Sequence, residues 1–281
     1  MKKYVLFDSI IDINTTEPIA RSTQELLKFL NVKLVNIKNF SRDTGIEDMG
    51  FDMKNFYINN AKNLALANKE QCSIICADDS SYLSLCVCVE ELKNNEELKN
   101  EINSLLREEK LELDLDIEIY TLADFLVKEL GNKKISKHIK HKFEQFNAAM
   151  YLGSHKCLIS KYTDLDSYSE ILNILGINVI NYDLKDQSSG YEILDINPNL
   201  AFKMSGALML DMFDNAADFV VVNDARSFVM FDKHQKELEK SVGREIGLSV
   251  FGLAQILLLG FGETNKDVLG LNDHKVKTKI I

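Results

Sequence analysis

Two groups of residues in this chain could do chemistry. The first is Asp43, Cys76, Asp78 and Asp79, a thiol and three carboxylates. Carboxylates and a thiolate together can hold zinc or another divalent ion, so Asp43, Cys76 and Asp79 are candidate metal ligands; solvated loop carboxylates neutralised by Arg42 are the plainer reading. The second group is Ser154, His155, Ser188, Ser189 and Asp224. A serine, a histidine and an aspartate suggest a hydrolase, but no nucleophile elbow or oxyanion motif accompanies them. A hydrogen-bonded network filling a polar pocket fits these residue types better, since buried polar groups need partners. The loop Ser188-Ser189-Gly190 could also bind an anion through its amides, with Arg226 adding charge. The remaining cysteines, Cys72, Cys86, Cys88 and Cys157, read as packing residues.

The elements that must position these groups follow from apolar patterning. Strand-like runs at Tyr4–Phe7, Val32–Ile37, Ser73–Ala77 and Ile117–Tyr120 alternate with helical patterns near 17–30, 53–69, 80–93, 96–109 and 121–130. Further runs at Ala148–Leu152, Asn178–Tyr182 and Phe219–Val222 alternate with helices near 166–175, 198–216, 227–240 and 250–259. Leu248 to Phe261 reads as one buried helix. This alternation predicts an α/β fold with mainly parallel sheets. An offset of 145 residues, from Ser9 to Ser154, superimposes residues 25–36 on 170–181, a whole helix-turn-strand unit. Two α/β halves related by approximate twofold symmetry are therefore expected, with domains at 1–140 and 141–281. In such sheets function sits beyond the carboxyl ends of the strands, where both candidate groups fall.

Bulk properties narrow the classes. The chain has 281 residues, 46% of them hydrophobic and 27% charged, which suits a globular protein. The net charge of −10 disfavours nucleic-acid binding. The basic stretch Lys133 to Lys142 is a local exception and reads as a solvated connector. No secretory signal and no membrane-length apolar stretch is visible. Five cysteines, an odd number unevenly placed, argue against a disulfide framework and for a cytoplasmic protein with reduced thiols.

Along almost its whole length the chain resembles the heterodisulfide reductase HdrB family and related proteins with paired cysteine-rich CCG domains. In that family each domain has a cysteine after the first strand, then Cys-Cys-Gly, then Cys-x-x-Cys. The corresponding positions here are Ile10, Arg42-Asp43, and Cys76 with Asp79; in the second half they are Ser154 in Gly153-Ser154-His155, then Ser188-Ser189-Gly190, then Asp224 and Ser227. The tail Leu269-Gly270-Leu271-Asn272-Asp273-His274 also looks like the family's. Of the ten positions, Cys76 alone is cysteine. Iron–sulfur clusters require several soft thiolates. The resemblance therefore implies a degenerate member that keeps the fold and lacks the [4Fe–4S] clusters. Its pocket of Ser154, His155, Ser188, Ser189, Asp224 and Ser227 would be vacated.

The function this implies is a non-catalytic binding or scaffold subunit of a redox complex. The alternative is an oxidoreductase subunit of heterodisulfide reductase-like type, whose altered pocket binds another metal or cofactor. The expected partners are protein subunits of such a complex or further copies of the chain, with no nucleic acid and no direct membrane insertion. Any membrane association would be peripheral, through a partner.

Overall fold

In the computed structural model, residues 2–10 and 17–278 are described. The protein is mixed α/β, and all its paired strands run parallel. The chain divides into two compact units, one of residues 2–10 and 27–122, the other of residues 17–26 and 123–278. The expected boundary near residue 140 thus falls inside the second unit.

In the first unit, β1 (Lys3–Phe7), β2 (Cys72–Cys76) and β3 (Ile119–Thr121) form a sheet in that order. Every residue of β2 is buried. A parallel strand covered on both faces has no polar side to show, hence the unbroken CSIIC run. Helix α1 (Glu17–Phe29) starts in the second unit and ends in the first. Helix α2 (Met53–Lys69) is capped by Asp52, whose carboxylate accepts from Asn55 N at 3.1 Å. Helices α3 (Asp79–Asn94) and α4 (Glu96–Glu108) follow, and α5 (Leu122–Asp124) runs directly into a π-helical stretch, Phe125–Leu130.

The second unit contains α6 (Asn132–Ser136), β4 (Asn147–Tyr151), α7 (Lys156–Ile159), α8 (Asp166–Ile174), β5 (Asn178–Val179), α9 (Pro198–Asp214) and β6 (Phe219–Val222). Then come α10 (Ala225–Phe228), a π-helical stretch Val229–Lys233, α11 (Gln235–Val242), β7 (Ser249–Gly252) and α12 (Leu253–Gly260). The strand order is β5-β4-β6-β7. Asn197 caps α9 through Leu200 N at 3.2 Å, and Pro198 occupies its first turn, where no amide hydrogen is needed.

Three expectations need correction. The run Val32–Ile37 forms only an isolated bridge, Leu34 to Tyr4, because the chain leaves the sheet for a turn in which Asn39 has φ 64°. Its counterpart at Asn178–Tyr182 is a strand only at Asn178–Val179. The apolar segment Leu248–Phe261 is not one helix but β7 followed by α12. Both are buried on every side, so neither period 2 nor period 3.6 shows in the sequence.

Burial also isolates a polar knot where the tail meets the second π-helical stretch. Asp232 is fully buried and accepts from Lys275 N at 2.9 Å and Val276 N at 3.2 Å. Gln255 Nε2 lies 2.9 Å from His274 Nε2 and also donates to Leu269 O at 2.6 Å. His274 Nε2 must then accept, which places the ring proton on Nδ1, 3.6 Å from Asp232. Burial, reinforced by Lys233, lowers the His274 pKa from 6.5 to about 4. An unfolded histidine binds its proton near pH 6.5 and the folded one does not. The stability His274 contributes is therefore complete above pH 6.5 and lost as the pH falls toward 4, with a full size on the order of 3 kcal/mol. We expect urea unfolding of His274→Gln to show a flatter pH dependence than wild type across this window.

Candidate functional site

Each sheet has a polar cluster beyond the carboxyl end of its strands. In the second unit, β4 delivers the chain to Gly153, which adopts φ 85°. A Cβ at Gly153 would lie 3.1 Å from Asp224 Cβ, so the glycine lets the two strand ends approach closely. Ser154 follows. Its hydroxyl donates to Ser188 Oγ at 3.3 Å, lies 3.3 Å from Ser189 Oγ and accepts from Ser189 N at 3.1 Å. Ser188 Oγ in turn donates to Glu192 at 2.7 Å and accepts from Gly190 N at 2.9 Å. Asp224 ends the β6 side and caps α10, accepting from Ser227 N at 2.8 Å and from the Ser227 hydroxyl. Tyr151 donates to Gln187 O at 2.7 Å beneath the loop. Burial, with Asp224 and Glu192 nearby, raises its pKa against a smaller opposing effect of Ser154.

The arrangement joins Ser154, Ser188 and Ser189 directly and pairs Asp224 with Ser227. His155 is half-buried at the start of α7. Asp224 acts as a helix cap rather than as the third member of a catalytic triad, and the Ser154 hydroxyl engages two other hydroxyls. Two members of this network, Tyr151 and Glu192, were not among the residues singled out from sequence. Tyr151 reads as part of an apolar strand, and Glu192 as an ordinary loop carboxylate.

The first unit has the same plan with other residues. Asp78 caps α3, accepting from Ser81 N at 3.2 Å, from Ser81 Oγ at 2.9 Å and from Ser9 Oγ at 2.7 Å. Ser84 Oγ donates to Asp43 at 3.1 Å. Arg42 bonds Ser9 O at 2.7 Å and pairs with Asp8 at 2.7 Å. Burial raises the Asp8 pKa even so, with Arg42 opposing. Ser81 and Ser84 were missed at the level of sequence, although a serine three residues after a capping aspartate is placed to donate to it. Ile10 is partly exposed and donates its amide to Asp43 O at 2.6 Å.

Cys76 ends β2 next to Asp78 and is completely buried. Burial raises its pKa well above the usual thiol value, and Cys86, Asp78, Asp43 and Asp79 push in the same direction. The metal-binding form of cysteine is the thiolate, so Cys76 is held in the form that ligates least well. Among Asp43, Cys76 and Asp79, the carboxylate of Asp43 is already engaged by Ser84. An iron–sulfur cluster, the group implied by the resemblance, takes several thiolates. At these positions there are hydroxyls bonded to one another, capping carboxylates, an isoleucine and one neutral thiol; such a set does not fit a cluster.

Two predictions test this geometry. Gly190 has φ 79°, and a Cβ there would lie 2.9 Å from Ala201 O. Gly190→Ala should therefore destabilise the protein by about 1–3 kcal/mol in chemical unfolding. In native protein, iodoacetamide should modify the exposed Cys157 and leave Cys76 and Cys88 untouched until denaturant is added; Cys88 is buried and its pKa is pushed up to about 12. Mass spectrometry of the labelled peptides reads the order.

Comparison with known proteins agrees with this framework. Residues 191–275 match the HdrB-like C-terminal domain. The HdrB component of the ferredoxin/F420H2-dependent CoB-CoM heterodisulfide reductase of Methanosarcina acetivorans is 24% identical over 99% of this chain and 95% of its own. The membrane anchor subunit of 8-methylmenaquinol:fumarate reductase from Wolinella succinogenes is 21% identical over 98% and 97%. A hypothetical protein from Helicobacter pylori, solved as a crystal structure, superimposes with a TM-score of 0.82 at 24% identity. That match covers all of this chain and 53% of the solved one, so the chain spans about half of it and the likeness concerns the fold. The chain thus carries an HdrB-like C-terminal domain at residues 191–275 and is similar over nearly its whole length to HdrB components of heterodisulfide reductases.

Proposed function

We propose that this chain is a cluster-free HdrB-like subunit that works by association within a redox complex, without catalysis of its own. The observation that carries this reading is the Ser154–Ser188–Ser189 hydroxyl network. It occupies the positions where the resemblance places cluster thiolates. Serine hydroxyls are undissociated at neutral pH, and here they serve one another, the backbone of their own loop and the Glu192 carboxylate. The two named relatives are subunits of larger reductases, which supports a subunit role for this chain as well. One of them is named as a membrane anchor. Among the described residues of this chain no helix is long and apolar enough to cross a membrane.

Protein purified without oxygen is expected to contain no stoichiometric iron or acid-labile sulfide and to show no broad visible absorption. Affinity purification under the same conditions should recover reductase-complex subunits, identified by mass spectrometry, or a homo-oligomer. Stoichiometric iron and sulfide lost on Cys76→Ala would overturn the cluster-free reading. A partnerless monomer that reduces disulfides or dyes by itself would overturn the scaffold reading and favour an oxidoreductase with an altered pocket.

A further inference from the structure

Lys133, Lys134, Lys137, Lys140 and Lys142 fall within ten residues that contain no Asp or Glu, in a chain of net charge −10. All five are exposed. The segment that carries them is pinned to the second unit. Ile135 is fully buried at one end and Phe143 is buried at the other. Between them, Lys140 N and His141 N both donate to Gly260 O, at 2.8 and 3.0 Å, and the His138 ring packs on Phe261 at 5.6 Å between centroids. With the apolar side chains turned inward, the lysines face solvent. The carboxyl end of α12 favours a cation or two near Gly260, but not five. Lys142 pairs with Glu144 at 3.3 Å. Among the described residues, Lys133, Lys134, Lys137 and Lys140 have no ion-pair partner.

We propose that this ordered lysine strip docks the protein on the surface of an anionic lipid bilayer. The occupant is chosen by the chemistry of the strip. Its fixed cations are all lysine, a compact and strongly hydrated charge, with none of the arginine forks that recognise carboxylates in pairs. Protein interfaces bury apolar and aromatic residues at their centre and are poor in lysine; this strip exposes no large apolar side chain. A bilayer of anionic headgroups needs neither shape nor apolar contact, and attracts each nearby lysine independently. At physiological salt the Debye length is about 8 Å, so distant carboxylates are screened from the strip, and its lysines outnumber the neighbouring carboxylates Glu144 and Glu170, the latter bonded to Asn132 at 2.6 Å. Docking of this kind is by charge alone and involves no insertion. It does not depend on whether the serine pockets hold a cluster.

The test is sedimentation of the full chain with phosphatidylcholine vesicles, with and without a substantial fraction of phosphatidylglycerol. The wild type should bind only the anionic vesicles, at physiological salt, and be released by high salt. Each lysine of the strip changed to glutamine should lower the partition coefficient about fivefold, so that K133Q/K134Q/K137Q/K140Q abolishes binding. The same four positions changed to arginine should retain it. K236Q/K240Q, which alters exposed lysines of α11, should bind as wild type does. Circular dichroism checks the fold, and the single variants K133Q and K137Q carry the test if the quadruple variant misfolds. The proposal fails if wild type ignores anionic vesicles at physiological salt, or if K236Q/K240Q loses as much binding as the strip variants. It fails equally if soluble polyglutamate binds the strip while vesicles do not, a result that would assign the strip to an acidic protein.

Discussion

A carboxylate stands just past the central strand of each sheet, buried and in need of partners. Asp78 follows β2 and Asp224 follows β6; they are 2% and 5% exposed. A buried ionised group without hydrogen bonds costs several kcal/mol. Both meet the demand in the same way, by capping the next helix and accepting serine hydroxyls. The helix amino terminus supplies amide hydrogens and a favourable field. Once Asp78 is fixed, so are Ser9 and Ser81; once Asp224 is fixed, Gly153 must be a glycine and Ser154 is set beside Ser188 and Ser189. The polar clusters are thus built around capping carboxylates, and the single cysteine of the first cluster is enclosed by them.

How far this was legible in the sequence varied with burial. Residues of β1, β2 and β6 could be read because short apolar runs ended at polar residues, and helices α2 and α9 because their helical patterning stood out near 53–69 and 198–216. The Leu34 and Val179 runs read as longer strands than they are: apolarity records burial, but not where the chain departs from a ladder. The π-helical stretches Phe125–Leu130 and Val229–Lys233 passed as ordinary helix, since one extra residue per turn leaves no compositional mark. Leu248–Phe261 misled for the opposite reason, being buried throughout. At the site, Ser154, Ser188 and Ser189 were visible because strand ends converge. The part played by Tyr151, a phenol reaching from inside a strand to Gln187 O, depends on three-dimensional proximity that no spacing encodes.

The thiols show how environment overrides residue type. Cys76, Cys86 and Cys88 all have raised pKa values, with burial the largest cause in each case, while Cys157 is exposed. A cysteine at a strand end invites a metal or redox reading, yet around Cys76 the neighbouring carboxylates oppose the thiolate in the same direction as the exclusion of water. The same three aspartates that suggested a cation site from sequence help to keep this sulfur protonated.

The outer margins of the sheets have a consequence for the life of the unfolded and partly folded chain. Segments such as Phe219–Val222 and Cys72–Cys76 are apolar enough to stack with copies of themselves if left uncovered. In the folded chain both are central strands with a neighbour on each side. What faces outward instead is meagre: one bridge at Leu34 beside β1, a three-residue β3, a two-residue β5, and a β7 that is buried along its whole length with Ser249 reaching Lys277 O of the tail at 3.3 Å. Little open ladder is left on which another strand could grow. Protection from fibrillar growth therefore rests on keeping those thin borders closed, and loss of the tail from β7 would open one of them.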